Sequence, residues 1–150
     1  CIYLSDQVLK NNPQNAIALE YAGLSYQLLQ QPAKAISYFE RLWEQSEKPN
    51  PLYMVATLQY ELERNKECWT SIEKLLQMPL EDDFIQLRGQ SNLQNIPLRA
   101  AVHNLAGNLA ENTQKYELAR KHYEQALNLF PTFELAKNNL GNLETHHPRK

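Results

Sequence analysis

An all-α fold of stacked antiparallel helix pairs is what this 150-residue sequence predicts, and three observations carry the prediction. First, a small residue and a glycine at Ala22-Gly23 are followed by Tyr26, Ala35, Phe39 and Leu42. The same order, short of its first aromatic, returns at Ala106-Gly107, Ala119, Tyr123 and Ala126, and begins again at Leu140-Gly141. Recurrence at a fixed period of about 34 residues marks a helical repeat array, in which each helix pair buries its apolar face against its neighbours. Second, Pro13, Pro49 and Pro131 fall at the closing end of each period, and proline cannot continue a helix interior. Third, the apolar residues between these markers keep helical spacing, in a chain that is 43% hydrophobic and 21% charged, a globular composition.

Each element follows from that register. Residues 1–15 read as the second helix of a preceding repeat, closed by Pro13. Residues 16–49 form the first whole repeat, with Leu19, Ala22, Gly23 and Tyr26 on one helix and Ala35, Phe39 and Leu42 on the next. The small residues Gly23 and Ala35 let the two backbones approach closely. Residues 50–80 are a degenerate repeat: Tyr53, Ala56 and Tyr60 fit, but Thr57 stands at the glycine position. Cys68, Ile72 and Leu75 fit its second helix only if the turn between the helices is one residue shorter. Residues 81–99 break the period as an insertion loop. It holds Asp82-Asp83, the alternation Phe84-Ile85-Gln86-Leu87, which is weakly strand-like, and Gly89. A loop that long is often functional; it reads first as packing over exposed helix surface and second as a binding lid. Residues 100–133 form a repeat that departs at His103 and Ala110, and residues 134–150 supply the first helix of a further one. The chain thus reads as a piece of a longer array. Both of its ends, 1–10 and 133–145, are expected to expose an apolar stripe and to favour self-association.

The residues Ala22-Gly23, Tyr26, Ala35 and Phe39, with Ala106-Gly107, Ala119, Tyr123, Ala126 and Pro131, resemble the tetratricopeptide repeat family. The resemblance implies a right-handed α-solenoid whose first helices line a concave face. It also implies a protein partner, since such arrays hold other proteins. The second, fifth, ninth and twelfth residues of each first helix share one side of it and would face the groove. Those chosen as groove residues are Glu20, Leu24 and Gln27 from the first repeat, and Met54, Leu58 and Glu61 from the second. Asn104, Asn108 and Glu111 come from the third, and Asn138 and Asn142 from the fourth. One half of the groove is apolar and the other is a ladder of Asn. An Asn amide donates and accepts at once, so a row of them suits an extended peptide read through its backbone. Three Glu and no Lys or Arg at these positions depart from the members that clamp an acidic chaperone tail, and that ligand is not carried over.

Other chemistry finds little support. A formal charge of −2 offers no basic excess, so nucleic acid is not an expected partner. No apolar run approaches the ~18 residues of a membrane span. The 14 Asn and 13 Gln are dispersed among apolar residues rather than gathered in a low-complexity tract. Cys1 and Cys68 fit no ligand spacing and read as small packing residues. His146 and His147 are adjacent and share no helix face, so neither a metal nor another cofactor is expected. No glycine-rich phosphate loop exists, and Glu81, Asp82 and Asp83 read as solvated. The expectation is a non-catalytic scaffold; the alternatives are a structural spacer of a larger multidomain protein, or the substrate-positioning region of a larger enzyme.

Overall fold

The computed structural model describes residues 1–150 and divides into two compact units, Cys1–Ser71 and Ile72–Lys150. The first unit holds α1 (Ile2–Asn11), α2 (Ala16–Leu28), α3 (Pro32–Ser46) and α4 (Pro49–Glu61), together with the start of α5 (Asn65–Gln77). Asn15 caps α2 by accepting the Ala18 N–H at 2.8 Å, which satisfies one of the orphan donors of a helix start. The core gathers Leu19, Ala35, Ile36, Phe39, Leu42, Val55 and Leu58, with Tyr26 and Met54 partly buried against it. Gly23 is where α2 and α3 touch: a Cβ there would lie 2.7 Å from Cε2 of Phe39.

The turn inside each helix pair is built identically three times. Gln30, Glu63 and Gln114 each adopt a left-handed backbone, with φ of 55°, 57° and 61°. After each, the next N–H reaches back to close the helix end: Gln31 to Tyr26, Arg64 to Gln59 and Lys115 to Ala110, at 2.9, 2.9 and 2.8 Å. This is the paired bonding by which helices commonly satisfy their last carbonyls. The recurrence fixes the register of the second repeat and corrects the sequence reading. Its inner turn is not shortened. Instead the second repeat opens one residue earlier, at Pro49, because α3 and α4 are joined by only Glu47 and Lys48. Ala56, not Thr57, then occupies the small position, and the Sγ of Cys68 sits 3.3 Å from its carbonyl oxygen. Burial pushes the Cys68 thiol up to about 12, as befits a packing residue.

The second unit holds the rest of α5, β1 (Phe84–Arg88), β2 (Leu93–Pro97), α6 (Leu98–Asn112), α7 (Tyr116–Leu129) and α8 (Glu134–His146). The segment expected to be a loop is an antiparallel hairpin in which Ile85 faces Ile96 and Leu87 faces Gln94. Ile96 is fully buried while Phe84 and Leu93 are exposed, the alternation of a strand with one face inward. Gln94 secures it. Its amide oxygen accepts the Glu134 N–H at 3.0 Å and its nitrogen donates to the Thr132 carbonyl at 2.7 Å, so one side chain reads both polar groups of a backbone at the start of α8. The hairpin packs within its own unit, on α6 and the α7–α8 turn. No helix is long and apolar enough to cross a membrane.

Candidate peptide-binding face

α6 and α8 meet through a network of side chains. The amide nitrogen of Asn139 lies 3.0 Å from the amide oxygens of both Asn104 and Asn108. The Tyr123 hydroxyl, from α7, is 2.8 Å from Asn108 and 2.7 Å from a Glu111 carboxylate oxygen. One phenolic proton cannot serve two acceptors fully. Turning all three amides over removes the conflict, because the two ends of an amide occupy nearly the same space. Asn104 and Asn108 then donate to Asn139, Asn108 also donates to the tyrosine oxygen, and the tyrosine proton is free for Glu111. Each group then has a partner, as a buried polar network requires.

The network sorts the predicted ladder. Asn104 is 6% exposed and turned toward Asn139; Asn108 and Glu111 are half-buried. Asn138 and Asn142 stand exposed on α8. Asn104 is therefore an internal tie and not a free rung. Asn139 and Tyr123 were missed as members of the set; the pairing of Tyr123 with Gly107 marked only a packing contact.

In the first unit Glu20 and Leu24 are exposed and Gln27 is half-buried. Leu58 is fully buried in the core and cannot touch a ligand, which corrects the sequence reading. The shifted register is the reason: Leu58 falls at the same step as Leu109 and Leu143, both also fully buried. Counted from Pro49, the second, fifth, ninth and twelfth residues of this repeat are Asn50, Tyr53, Thr57 and Tyr60, of which Tyr53 is itself buried, while Glu61 is exposed and Met54 half-buried. Partial burial raises the Glu61 carboxyl above its ordinary range.

Two histidines, unremarkable in sequence, meet between α6 and α7. The Nδ1 atoms of His103 and His122 are 3.1 Å apart, so one donates and the other accepts, and the two cannot both be protonated. Burial, then His122 and Arg99, brings His103 down to about 4; burial lowers His122 as well. Both values lie below the ordinary one of about 6.5 at which each titrates in the unfolded chain. The contribution is thus complete above that value and is lost as pH falls from about 6.5 toward 4. The pair should cost about 1–2 kcal/mol of stability between pH 7 and pH 5. Denaturant titrations at the two pH values check this: His103→Gln should reduce the loss, and an equal loss in both proteins would contradict the assignment. No three His, Cys, Asp or Glu side chains converge as a metal site would require.

Helix pairs joined by one repeated turn, with Gly23 and Gly107 each beneath an aromatic ring, define an α-helical repeat protein. Residues 17–47 and 100–133 each match a family model described as tetratricopeptide repeat, so these two segments are similar to repeats of that family. No curated protein matches it in sequence. Among solved structures, MamA is similar at a TM-score of 0.75 and 15% identity, covering 97% of this chain and 75% of that one. YrrB, described as a TPR protein with an unusual peptide-binding site, is similar at 0.69 and 17% identity, with coverages of 99% and 69%. The first TPR domain of human RPAP3 is similar at 0.69 and 18% identity, with coverages of 89% and 93%. A structure of that first TPR, described as bound to the HSP90 peptide SRMEEVD, is similar to the same degree. The fold of this chain is accordingly the all-α repeat fold of those proteins.

Proposed function

We propose that the chain is a protein-interaction scaffold that holds an extended peptide against α6 and α8, with Asn138 and Asn142 reading its backbone. The observation behind this reading is the division of labour among the asparagines. Asn139 turns inward and locks α8 to α6, while Asn138 and Asn142, one helical turn apart, point their amides to solvent. Gln94 already holds a peptide N–H and a peptide C=O within this protein, so an amide used in this way has an internal precedent. Two similar structures, one described as having a peptide-binding site and the other as bound to a peptide, support the same class of role. Glu111 at the margin disfavours an acidic ligand.

Fluorescence anisotropy against a panel of extended peptides tests the proposal. Neutral or basic peptides should bind better than acidic ones, and the preference should fade with salt. Asn138→Ala and Asn142→Ala should each weaken binding by about 0.5–1.5 kcal/mol, the net worth of a hydrogen bond, whatever the ligand side chains. A peptide that binds equally well with both changed would refute the mechanism.

A further inference from the structure

Two backbone bonds fix which way the polar groups of the hairpin point. The Leu98 N–H donates to the Asp83 carbonyl and the Gly89 N–H to the Asn92 carbonyl, both at 2.8 Å. In an antiparallel ladder, bonded pairs alternate with unbonded ones. Ile85 faces Ile96 and Leu87 faces Gln94, so these are the bonded pairs between. Phe84, Gln86 and Arg88 then turn their backbone groups away from β2, and Leu93, Asn95 and Pro97 turn away from β1. Pro97 fits this account, because a proline has no N–H to give the ladder.

The two outer edges differ. That of β2 carries Pro97, one of the residues that keep sheet edges from pairing. That of β1, Phe-Ile-Gln-Leu-Arg, has neither proline nor lysine. Gln86 and Arg88 are exposed, and no hydrogen bond within the protein engages their outward backbone groups. The charges at its two ends are also unanswered: Asp82 and Arg88 are exposed and neither forms an ion pair within the chain. A two-stranded ribbon is by itself a marginal sheet. α8 offers no comparable surface. It turns Lys137, Asn138, Gly141 and Asn142 to solvent, so the apolar stripe expected at 133–145 is not there.

We propose that the β1 edge pairs with the β1 edge of a second copy, antiparallel about a two-fold axis at Gln86, to make one four-stranded sheet. The edge is complementary to itself in this register. It is the one register that sets all three outward residues of β1 against outward residues of the second copy. Gln86 exchanges both backbone bonds with its own equivalent. Arg88 falls opposite Phe84 of the second copy and diagonal to its Asp82, within reach of both on the same exposed face. The guanidinium gains a ring and a carboxylate, and symmetry makes each contact twice. Both unanswered charges are thereby met, which is why the occupant is a second copy. The contact is small beside those of permanent dimers, so the association follows concentration.

Sedimentation equilibrium of the 150-residue protein should show the mass rising from one chain toward two as concentration approaches the millimolar range. Over the same range, amide exchange should slow at Gln86 and Arg88 and stay fast at Leu93 and Asn95. Gln86→Pro removes an outward donor and leaves the hairpin's own bonds complete, so it should weaken association at least tenfold. Asn95→Pro, the same change on the other edge, should leave association unaltered, as should Asn138→Ala and Asn142→Ala. Arg88→Asp should weaken it, and adding Asp82→Arg should restore much of the loss; this exchange decides the matter even if the proline disturbs the hairpin. A monomer at every concentration overturns the proposal, as does association that the two prolines affect alike or that the charge exchange fails to recover. So does protection of Gln86 that requires an added extended peptide, since the edge would then serve another ligand.

Discussion

Gly107→Ala should melt well below the native protein, Gly23→Ala below it by less, and Gly141→Ala at or above it. The three glycines occupy the same step of three repeats, and in a helix interior alanine is intrinsically better than glycine by roughly 0.5–1 kcal/mol. Only what the new methyl meets can reverse that sign. At Gly141 it meets nothing within 4 Å, so the intrinsic gain stands. At Gly23 it meets the Phe39 ring at 2.7 Å. Phe39 is 2% exposed but no hydrogen bond anchors its edge, and a small rotation relieves part of the clash. At Gly107 it meets Tyr123 Cδ1 at 2.5 Å, and that ring is pinned by its hydroxyl to Asn108 and Glu111. Overpacking against a ring that cannot move should cost about 1–3 kcal/mol net, with a fall of roughly 2–4 °C in Tm for each kcal/mol. Tyr123→Phe removes the anchor, so the double variant should lose less than the sum of the two single changes. Equal shifts at all three glycines would show that the rings do not decide the outcome.

Those glycines were legible in the sequence because their role is local and repeated: a small residue at a fixed step before an aromatic. Pro49 misled for a physical reason. Proline suits the residue after a helix, but it suits the first turn of the next helix equally, where its missing N–H goes unused. It was read as a closing residue, whereas it opens α4, and that one-residue difference is why Leu58, assigned to the groove, lies in the core. The hairpin was half visible. The alternation in Phe84–Leu87 was plain, but its pairing with Leu93–Pro97 crosses a Gly89–Asn92 turn, closed by the Gly89 N–H on the Asn92 carbonyl at 2.8 Å, and Gly-Gln-Ser-Asn lacks the Asn-Gly or Asp-Gly signal of the commonest hairpin turns. The asparagines were legible as positions and not as partners. Periodicity places a residue on a face, but whether an amide meets solvent or another amide depends on the neighbouring helix, as Asn138 and Asn139 show by pointing to opposite fates one residue apart.

Arg120→Ala should weaken the seating of the last turn of α8 on α7 by about 2–4 kcal/mol and release the end of the chain, whereas Arg149→Ala should change it little. Arg120 is 2% exposed, which is rare for an arginine, and it is fully engaged. It donates to Glu117 at 2.6 Å, to Glu144 at 3.1 Å and to the His147 carbonyl at 2.8 Å. A planar fork of donors can serve two carboxylates and a carbonyl together, which a lysine cannot do. The arrangement ties α7 to the last turn of α8 and seats the Tyr116 ring on His147, with centroids 3.6 Å apart. Alanine removes charge-assisted hydrogen bonds worth more than ordinary ones, along with the packing of the arginine stem. Arg120→Lys should recover only part of the loss. Arg149 contacts Glu124 and Glu144 from the surface, where ion pairs contribute little. Hydrogen exchange should show faster opening of the last turn of α8 in Arg120→Ala while α6 keeps its protection. Uniform loss of protection through the unit would mean instead that Arg120 supports the whole fold rather than its final turn.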